Sequence, residues 1–563
     1  MIAYIQQFVN DFNKPKNWLV LVNVFLVFFL IILGNLQVIP LHMGDFVFFT
    51  ILALAFALWR PSWAFLLFCG MVPLENINLA PLSLGLTIRP YQFIGAVLVL
   101  AIIIRLVTKR LNFKLAKLKI PDYLVIVIVV ASFISAAFAS SVETRLIASL
   151  HFASLRLAII LATFAILYFL VRNYIQTIDD AKRTVPFFLS SAAVVMFYGL
   201  WQNIIFLHNG NSFEVMLGRP NATFAEADWA GAFVVLVVTL VYTLLYYCHS
   251  ERSVAKSKNL SLNITSDEYI ADPSTAFLRY RVITPLRMTE ILLYFLLTLS
   301  FTILILTVSR SAWLAALATY IIFVWIFFTD LKFKHWKWKE AGILKLKIIS
   351  SLLVAIFIVY VFHLTNFQLL NRAQSTGSGL QKITVSCNRD ENLPESIRDM
   401  SELERYDCRH INLEEIEKEK TAGRFVTEIS RPDPNVDVRA QIYQKSWQEI
   451  KQHPILGIGW GSIGTMLGRD GRGAALNASN IFLETWLGAG IVGFSALIFL
   501  FGFIIFNSVR NYFYASDRLS KAFFLLIIVG WFGLVIFNLF NAGMFLGFLW
   551  VWLAISQVQI SKS

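Results

Sequence analysis

The chain has 563 residues, of which 57% are hydrophobic and 15% aromatic, and its mean hydropathy is +0.67. A soluble domain of this size cannot bury so much apolar surface, so the composition excludes a soluble protein and predicts a polytopic membrane protein. The formal net charge of +13 does not indicate a nucleic-acid partner, because the basic residues cluster in short segments between apolar runs. The lipid bilayer is the partner that this composition predicts.

Apolar runs long enough to cross about 30 Å of hydrocarbon predict an all-α polytopic membrane protein. The runs cover residues 18–39, 46–58, 62–74, 90–107, 122–139, 154–171, 185–206, 229–247, 290–306, 312–329, 348–363, 481–505, 523–540 and 544–559. The second and third runs are short and predict either a hairpin or a re-entrant pair, so we expect twelve to fourteen transmembrane helices. The first run is too long for a signal-peptide core and lacks a small-residue cleavage site, which predicts an uncleaved span.

Three clusters of basic residues predict which face is cytoplasmic, because Lys and Arg are retained on that side of a membrane. The clusters lie at 105–119, 252–287 and 332–347, and with fourteen spans all three fall on one face. We therefore expect a multi-pass protein of the cytoplasmic (inner) membrane with both termini in the cytoplasm. The segments expected on the outer face are 140–153, 207–228, 307–311 and 364–480.

The polar segment 364–480 is too long to lack structure and is expected to fold as an extracytoplasmic loop domain carrying short helices. It separates the transmembrane helices of residues 1–363 from the C-terminal ones of residues 481–563. Residues 413–420 and 439–452 have the patterns of these short helices, and a proline follows the second one.

Two of the four cysteines, Cys387 and Cys408, lie in this polar segment. On the outer face a disulfide can persist, so we expect the two to be bonded to each other. Two unpaired thiols are the alternative. Cys69 and Cys248 lie within or beside apolar runs, where a thiol serves as a small apolar filler.

Three arginines on the predicted outer face form a candidate binding site. Arg219 lies in LGRPNATFAEADWAG, Arg310 in LTVSRSAW, and Arg439 in the polar segment. A single arginine at the end of a span usually reaches to the lipid headgroups, but three beside glycine, serine and proline turns favour a shared role. Guanidinium groups match phosphate oxygens and stay charged when partly desolvated, so the three predict a diphosphate pocket at the outer membrane boundary.

Sequence motifs for nucleotides and metals are missing. The chain has no P-loop, no paired-aspartate metal motif and no His/Cys cluster with ligand spacing. The string GIGWG is not a dinucleotide fingerprint, because no strand precedes it and it falls on the predicted outer face. We expect neither a cofactor nor a metal ion.

Four segments resemble, in the same order, blocks of the O-antigen ligase and O-antigen polymerase superfamily of membrane glycosyltransferases. They are RPNATFAEADWAG, LTVSRSAW, RAQIYQKSWQEIKQHPILGIGWGSIG and SNIFLETWLGAGIVG, and LTIRPYQF around Arg89 is more loosely similar. The resemblance implies a metal-independent enzyme that moves a glycan from a polyprenyl-diphosphate carrier, such as undecaprenyl diphosphate, to an acceptor hydroxyl. The acceptor would be a glycan, a glycolipid or a protein, and the process would be assembly of a cell-surface polysaccharide such as lipopolysaccharide.

The same resemblance implies roles for individual residues. Arg219, Arg310 and Arg439 would bind the diphosphate and stabilise the charge that develops on the leaving group. The ligase branch of the family carries a histidine before an asparagine as the proposed base, and this chain has Ser479 and Asn480 there. Because a serine hydroxyl is not a general base near neutral pH, that assignment does not transfer.

The candidate bases that remain are His453, Glu226, Asp228 and Glu484. His453 has a suitable ordinary pKa, but capping the C-terminus of its helix is a slightly better supported role. Glu226 and Asp228 lie beside the Arg219 motif, where solvated interface charge is the ordinary interpretation.

Glu484 lies inside an apolar run, where a carboxylate is costly unless it is paired or faces a wet cavity. An ion pair with Arg310 or Arg439 is therefore as well supported by the sequence as a catalytic role.

Two questions of function stay open at the level of sequence. The absence of the family histidine at Ser479 slightly favours a polymerase or a divergent transferase over a ligase. The competing class is a multi-pass solute or anion transporter that uses the same arginines as a binding funnel. A transporter should show internal repeats and broken helices at mid-membrane, and the chain has no convincing repeat.

Overall fold

A computed structural model of the chain describes residues 15–110, 115–138, 146–209, 218–264, 273–329, 338–365, 379–388, 393–398, 400–411, 416–469 and 475–559. Parts of the predicted basic clusters (111–114, 265–272 and 330–337) and of the predicted outer segments (139–145, 210–217, 366–378 and 470–474) lie outside these ranges. Within them the chain forms a helical bundle with a small sheet-containing segment between two of its helices.

The helices of the described part account for every predicted span. They are α1 (Pro15–Asn35), α2 (Met43–Trp59), α3 (Pro61–Met71), α4 (Pro90–Val107), α5 (Ile120–Phe138), α6 (Leu146–Tyr174), α7 (Ile178–Asn209), α8 (Ala227–Ile264), α9 (Pro273–Leu306), α10 (Arg310–Thr329), α11 (Trp338–Val361), α12 (Ile416–Thr421), α13 (Pro434–Gln452), α14 (Trp460–Leu467), α15 (Ile481–Tyr514), α16 (Arg518–Asn538) and α17 (Gly547–Ile555).

Ten of these helices contain segments long and apolar enough to cross a membrane, namely α1, α4 to α8, α10, α11, α15 and α16. Three apolar helical segments are shorter, in α2, α3 and α9, and α17 has 9 residues. The expectation of an all-α polytopic membrane protein is confirmed. The short pair expected at 46–58 and 62–74 consists of α2 and α3, which meet at Arg60.

Helix α8 lies at the centre of the bundle. Of its apolar span 83% is buried, against 22% for α1 at the periphery. Small residues allow its neighbours to approach closely, as is common between transmembrane helices. A Cβ atom added at Gly231 of α8 would lie 2.7 Å from Ala312 of α10, and one at Gly533 of α16 would lie 3.0 Å from Val235 of α8.

Contacts between the connecting segments define two faces of the bundle. On one face, the N–H groups of Glu75 and Asn76 donate to the Thr223 carbonyl at 3.0 and 2.8 Å. On the opposite face, Lys119 Nζ donates to Gln559 Oε1 at 2.9 Å. The segments after the third and seventh predicted spans thus meet on one face, and those after the fourth and fourteenth meet on the other, as alternating spans require.

The segment between α11 and α15 contains a three-stranded antiparallel sheet with strand order β2-β1-β3. The strands are β1 (Leu380–Cys387), β2 (Cys408–His410) and β3 (Phe425–Pro432). The expected short helices are present as α12, α13 and α14, and the sheet is an addition that the sequence did not predict. A usable signal was present in β1, where the apolar residues Ile383, Val385 and Cys387 stand at every second position.

A disulfide joins Cys387 of β1 to Cys408 of β2, with 4.1 Å between the Cα atoms. The two residues face each other in the register of the sheet, so the sheet itself brings the expected pair together. Of the helix predicted at 413–420, residues 413–415 lie outside the described ranges, and the remainder lies in α12.

A buried carboxylate ties α12 to this sheet. Glu419 accepts from Ser386 Oγ at 2.7 Å and lies 2.6 Å from Arg409 Nη2. The Ser386 hydroxyl and the Arg409 guanidinium hold the pKa of the Glu419 carboxyl below its ordinary value.

Candidate active site

Arg219 is held at the start of α8, against the turn between α9 and α10. Its Nε donates to the Thr307 carbonyl at 2.7 Å, and its Nη2 lies 3.2 Å from Asp228 Oδ1. Only 9% of its side chain is exposed. A buried guanidinium that donates to a backbone carbonyl and a carboxylate is fixed in one orientation, so Arg219 is a preformed part of this face.

Arg310 is the first residue of α10 and connects the membrane bundle to the sheet-containing segment. Its Nη1 lies 2.8 Å from Asp433 Oδ2. Asp433 stands between β3 and α13, its side chain is 2% exposed, and its N–H donates to the Gly379 carbonyl. The ion pair therefore holds the start of α13 near the N-terminus of α10.

Arg439 lies in the second turn of α13 and differs from the other two arginines. Its guanidinium carbon lies 6.0 Å from the centre of the Phe540 ring, a distance at which a cation–π attraction is present. Among the described residues it has no carboxylate partner and no hydrogen bond. Its charge is therefore available to an anionic ligand.

Short polar links join the surroundings of the three arginines. Ser309 Oγ and Ser311 Oγ are 3.3 Å apart. They flank Arg310, and the same turn contacts Arg219 through the Thr307 carbonyl. Asn541 Nδ2 donates to Ser311 Oγ at 2.8 Å, and the preceding residue is the Phe540 that contacts Arg439. Arg219, Arg310 and Arg439, which we call the arginine cluster, thus lie at one end of the bundle.

Ser479 and Asn480 lie beside Arg439. Asn480 caps α15 by accepting from the N–H groups of Phe482 and Leu483, and its Nδ2 donates to the Leu539 carbonyl at 3.1 Å. The Tyr443 hydroxyl, one helical turn after Arg439, donates to the Ser479 carbonyl at 3.3 Å. Burial raises the pKa of this hydroxyl above its ordinary value. The position of the family histidine is therefore next to the arginine cluster.

Glu484 is buried directly beneath this turn. Its side chain is 7% exposed, and its Oε2 accepts from the Ala478 N–H at 2.9 Å. Among the described residues it forms no ion pair, and the carboxylate partner of Arg310 is Asp433. The expected ion pair of Glu484 with Arg310 or Arg439 is therefore not present.

The other candidate bases are placed differently. His453 directly follows α13, where its carbonyl accepts from the Gly457 N–H, and it comes fourteen positions after Arg439. At a rise of 1.5 Å per residue the two are about 20 Å apart, so the structure does not bring His453 to the arginine cluster. Asp228 is engaged by Arg219, and Glu226 is partly buried one residue before α8.

The glycine run after His453 has a structural explanation. Helix α15 is interrupted at Gly490, which has φ 66° and ψ −173°. The segment 454–459 enters this break, where the Ile458 N–H donates to the Leu487 carbonyl at 2.7 Å and the Ile491 N–H donates to the Pro454 carbonyl at 3.2 Å. A Cβ atom at Gly457 would overlap the Leu487 carbonyl oxygen. These glycines permit close approach of two backbones.

Glu75 is a buried carboxylate that the sequence interpretation missed. It lies 2.8 Å from Arg89 Nη1 and accepts from the Tyr91 hydroxyl at 2.9 Å and from the Gly547 N–H at 2.6 Å. Burial raises the pKa of Glu75, and the charge of Arg89 opposes this rise. Its backbone also contacts Thr223, in the segment that carries Arg219. In the sequence, the only indication of a site near Glu75 was the loosely similar motif around Arg89.

Within the described ranges, no group of three or more His, Cys, Asp or Glu residues is placed to hold a metal ion. The polar groups that converge at this end of the bundle are instead guanidinium groups, amides and the carboxylates of Glu75, Asp228, Asp433 and Glu484. This chemistry suits an anionic ligand and a proton acceptor beside it.

Comparison with known proteins agrees with this arrangement. Residues 295–498 match the family model described as O-Antigen ligase. This region belongs to the O-antigen ligase family. The O-antigen ligase region includes Arg310, Arg439, the Ser479–Asn480 turn and Glu484, whereas Arg219 precedes it. No curated protein and no solved structure matches the chain.

Proposed function

We propose that the chain is a membrane glycosyltransferase that moves a glycan from a polyprenyl-diphosphate carrier to an acceptor hydroxyl. The observation that carries the proposal is the arginine cluster at one end of the bundle, two of whose members lie in the O-antigen ligase region. Arginine forks bind phosphate oxygens in two-point contacts, and a diphosphate offers enough oxygens for several of them.

The three arginines have different roles in binding the diphosphate. Arg219 and Arg310 are oriented by Asp228 and Asp433, so they hold fixed positions before the donor arrives. Among the described residues Arg439 has no carboxylate partner, so it makes the first new ion pair with the donor. As the bond between the glycan and the diphosphate breaks, negative charge grows on the departing polyprenyl diphosphate, and the preoriented guanidinium groups stabilise it.

Glu484 is the base that we propose for the acceptor. It lies beneath the turn that carries Ser479, next to Arg439, and its carboxylate has one hydrogen bond among the described residues, to Ala478. The acceptor hydroxyl gives its proton to this carboxylate while its oxygen bonds to the anomeric carbon of the glycan. His453 is about 20 Å from Arg439 by helix rise, and this distance favours Glu484 over His453 for this step.

The arginine cluster faces outward in this proposal, and both termini lie in the cytoplasm. The basic segments on the opposite face of the bundle support this orientation, because Lys and Arg are retained on the cytoplasmic side. Replacement of the family histidine by Ser479 favours a polymerase or a divergent transferase over a ligase.

A solute or anion transporter is the alternative function, and the break in α15 at Gly490 is the observation that favours it. In transporters, broken helices line a substrate cavity near the middle of the membrane. Here the backbone of residues 454–459 fills the break and satisfies its exposed groups. Because backbone fills the break, the break contributes to helix packing and does not line a path for a solute. We therefore favour the transferase.

Reconstituted proteoliposomes distinguish the two functions. The purified protein is incubated with a polyprenyl-diphosphate glycan and candidate acceptor glycans or glycolipids. A transferase releases free polyprenyl diphosphate and forms a glycosylated acceptor. Movement of an intact solute across the bilayer, with the donor unchanged, would replace the transferase proposal with the transporter.

A further inference from the structure

A second site lies away from the arginine cluster, in a cavity of about 350 Å³ among α3, α7, α8, α16 and α17. Its lining is almost entirely aliphatic and aromatic, as illustrated by Leu240, Phe523 and Trp552. The lining extends from Ile178, at the start of α7, to Phe548, at the start of α17. On α7 the lining runs from Ile178 to Phe188, which is about 15 Å at a rise of 1.5 Å per residue, so the cavity extends along the bundle axis.

The size and lining of the cavity indicate an apolar occupant. Its volume falls in the range of about 300–1,000 Å³ that is typical of ligand pockets. Apolar walls offer water no hydrogen bonds, so water does not fill such a cavity. An elongated hydrocarbon chain fits both the shape and the chemistry.

The rim of the cavity carries a cation. Lys182, in the second turn of α7, is exposed and lines the cavity. Its Nζ lies 5.8 Å from the centre of the Tyr247 ring, another lining residue. Among the described residues Lys182 has no ion pair and no hydrogen bond. Its ammonium group therefore holds its position at the rim through an aromatic ring, with its charge available.

Pro186 adds a second polar group at the same rim. It lies inside α7, lines the cavity and is exposed. Because proline has no N–H, it donates nothing to the carbonyl four residues earlier, which is that of Lys182. A hydrogen-bond acceptor and an ammonium group thus stand together where the apolar cavity meets the membrane boundary.

We infer that this cavity binds one acyl chain of an anionic phospholipid, whose phosphate pairs with Lys182. The cation at the rim complements the phosphate, and the apolar lining takes the chain. No member of the arginine cluster lines the cavity, and Lys182 lies at the face opposite the cluster. The inference therefore does not depend on the proposed transferase activity.

Lipid binding by the purified full-length protein tests the inference. Detergent-purified protein is titrated with phosphatidylglycerol and with phosphatidylcholine, and bound lipid is measured by native mass spectrometry. We expect wild-type protein to prefer phosphatidylglycerol. In Lys182→Ala this preference should fall about fivefold, whereas Lys109→Ala, which removes an exposed lysine on the same face, should retain it. An equal preference in wild type and K182A would overturn the inference.

A second pair of variants tests the cavity without changing charge. Leu240→Trp places a large ring in the cavity, and Leu317→Trp places the same ring on the exposed surface of α10. Wild type and L317W should retain phospholipid through purification, and L240W should lose it while remaining monodisperse. Retention of phospholipid by a folded L240W, or displacement of the lipid by polyprenyl phosphate in preference to phosphatidylglycerol, would contradict the assignment.

Discussion

At the scale of single residues, the arrangement around Arg439 distinguishes this chain. Two arginines of the cluster have carboxylate partners, and Arg439 has an aromatic ring instead. A guanidinium without a carboxylate binds an incoming anion without first losing an ion pair. Arg439 is therefore the member of the cluster whose charge contributes most directly to donor binding.

The sequence predicted the three arginines as candidate site residues but gave no indication of their partners. Arg310 and Asp433 are separated by 123 positions. No local sequence pattern indicates that the first residue of α10 pairs with the residue before α13. The ion-pair interpretation of Glu484 failed for the same reason. Which carboxylate reaches which arginine depends on how the sheet-containing segment lies over the bundle.

Glu484→Gln tests the proposed base. The amide keeps the size of the side chain but accepts no proton, so kcat should fall by about 10²- to 10⁴-fold. Donor affinity should change little, because Glu484 contacts no arginine among the described residues. Both quantities are measured with purified protein and a polyprenyl-diphosphate glycan. Wild-type kcat in a folded E484Q variant would remove Glu484 from the mechanism.

At the scale of elements, the break in α15 organises the region around the site. The backbone of residues 454–459 occupies it, and Trp460 then donates from Nε1 to Ser132 Oγ of α5. The sequence predicted an uninterrupted span over 481–505, since a glycine inside an apolar run leaves hydropathy nearly unchanged. The break becomes visible only in the structure, where the glycine-containing segment 454–459 packs against α15 at Gly490.

Gly490→Ala tests the structural role of the break. Its φ is 66°, and an added Cβ would overlap the Ile455 carbonyl oxygen, so two separate effects oppose the substitution. The matched control is Gly502→Ala in the same helix, where nothing lies within 4 Å of an added Cβ. We expect G490A to lower the apparent Tm in detergent markedly, and G502A to leave it within a few degrees. Equal Tm values would show that the break is not required.

The sheet between α11 and α15 was not predicted, although its cysteine pair was. Strands of three to eight residues in a polar segment give a weak signal beside the long apolar helices. The pairing of Cys387 with Cys408 could be expected because both lie in one segment, but their cross-strand register could not.

Cys387→Ser tests the contribution of the disulfide. The cross-link closes a loop of 21 residues, for which chain entropy predicts stabilisation of about 3 kcal/mol. We expect the segment around β1 and β3 to become sensitive to limited proteolysis in C387S, while the membrane helices remain intact. Cys69→Ser, which removes a free buried thiol, serves as the control. Equal cleavage patterns would show that the sheet is stable without the bond.

At the scale of the whole molecule, the span predictions were reliable because burial in lipid demands about 20 apolar residues per crossing. The short spans α3 and α17 were found because the sequence around them is apolar as well. Orientation relative to the cytoplasm is a property of the membrane rather than of internal contacts, so it remains a prediction from the basic segments.

Accessibility of introduced cysteines measures this orientation. Lys109→Cys lies between α4 and α5, and Lys445→Cys lies on the exposed side of α13. In intact cells a membrane-impermeant thiol reagent should label K445C, and it should label K109C only after the cells are permeabilised. Parent protein without introduced cysteines provides the background. The reverse pattern would place the arginine cluster in the cytoplasm.

The central claim is that the arginine cluster binds a lipid-linked diphosphate and promotes glycan transfer from it. The most direct measurement is release of polyprenyl diphosphate by wild type, Arg439→Ala and Lys451→Ala. Lys451 is a matched control, because it lies on the same helix and stands 6.0 Å from the Trp447 ring. Loss of Arg439 should remove about 3 kcal/mol of transition-state stabilisation, or roughly a hundredfold in rate, with K451A near wild type. Wild-type release by a folded R439A would contradict the account.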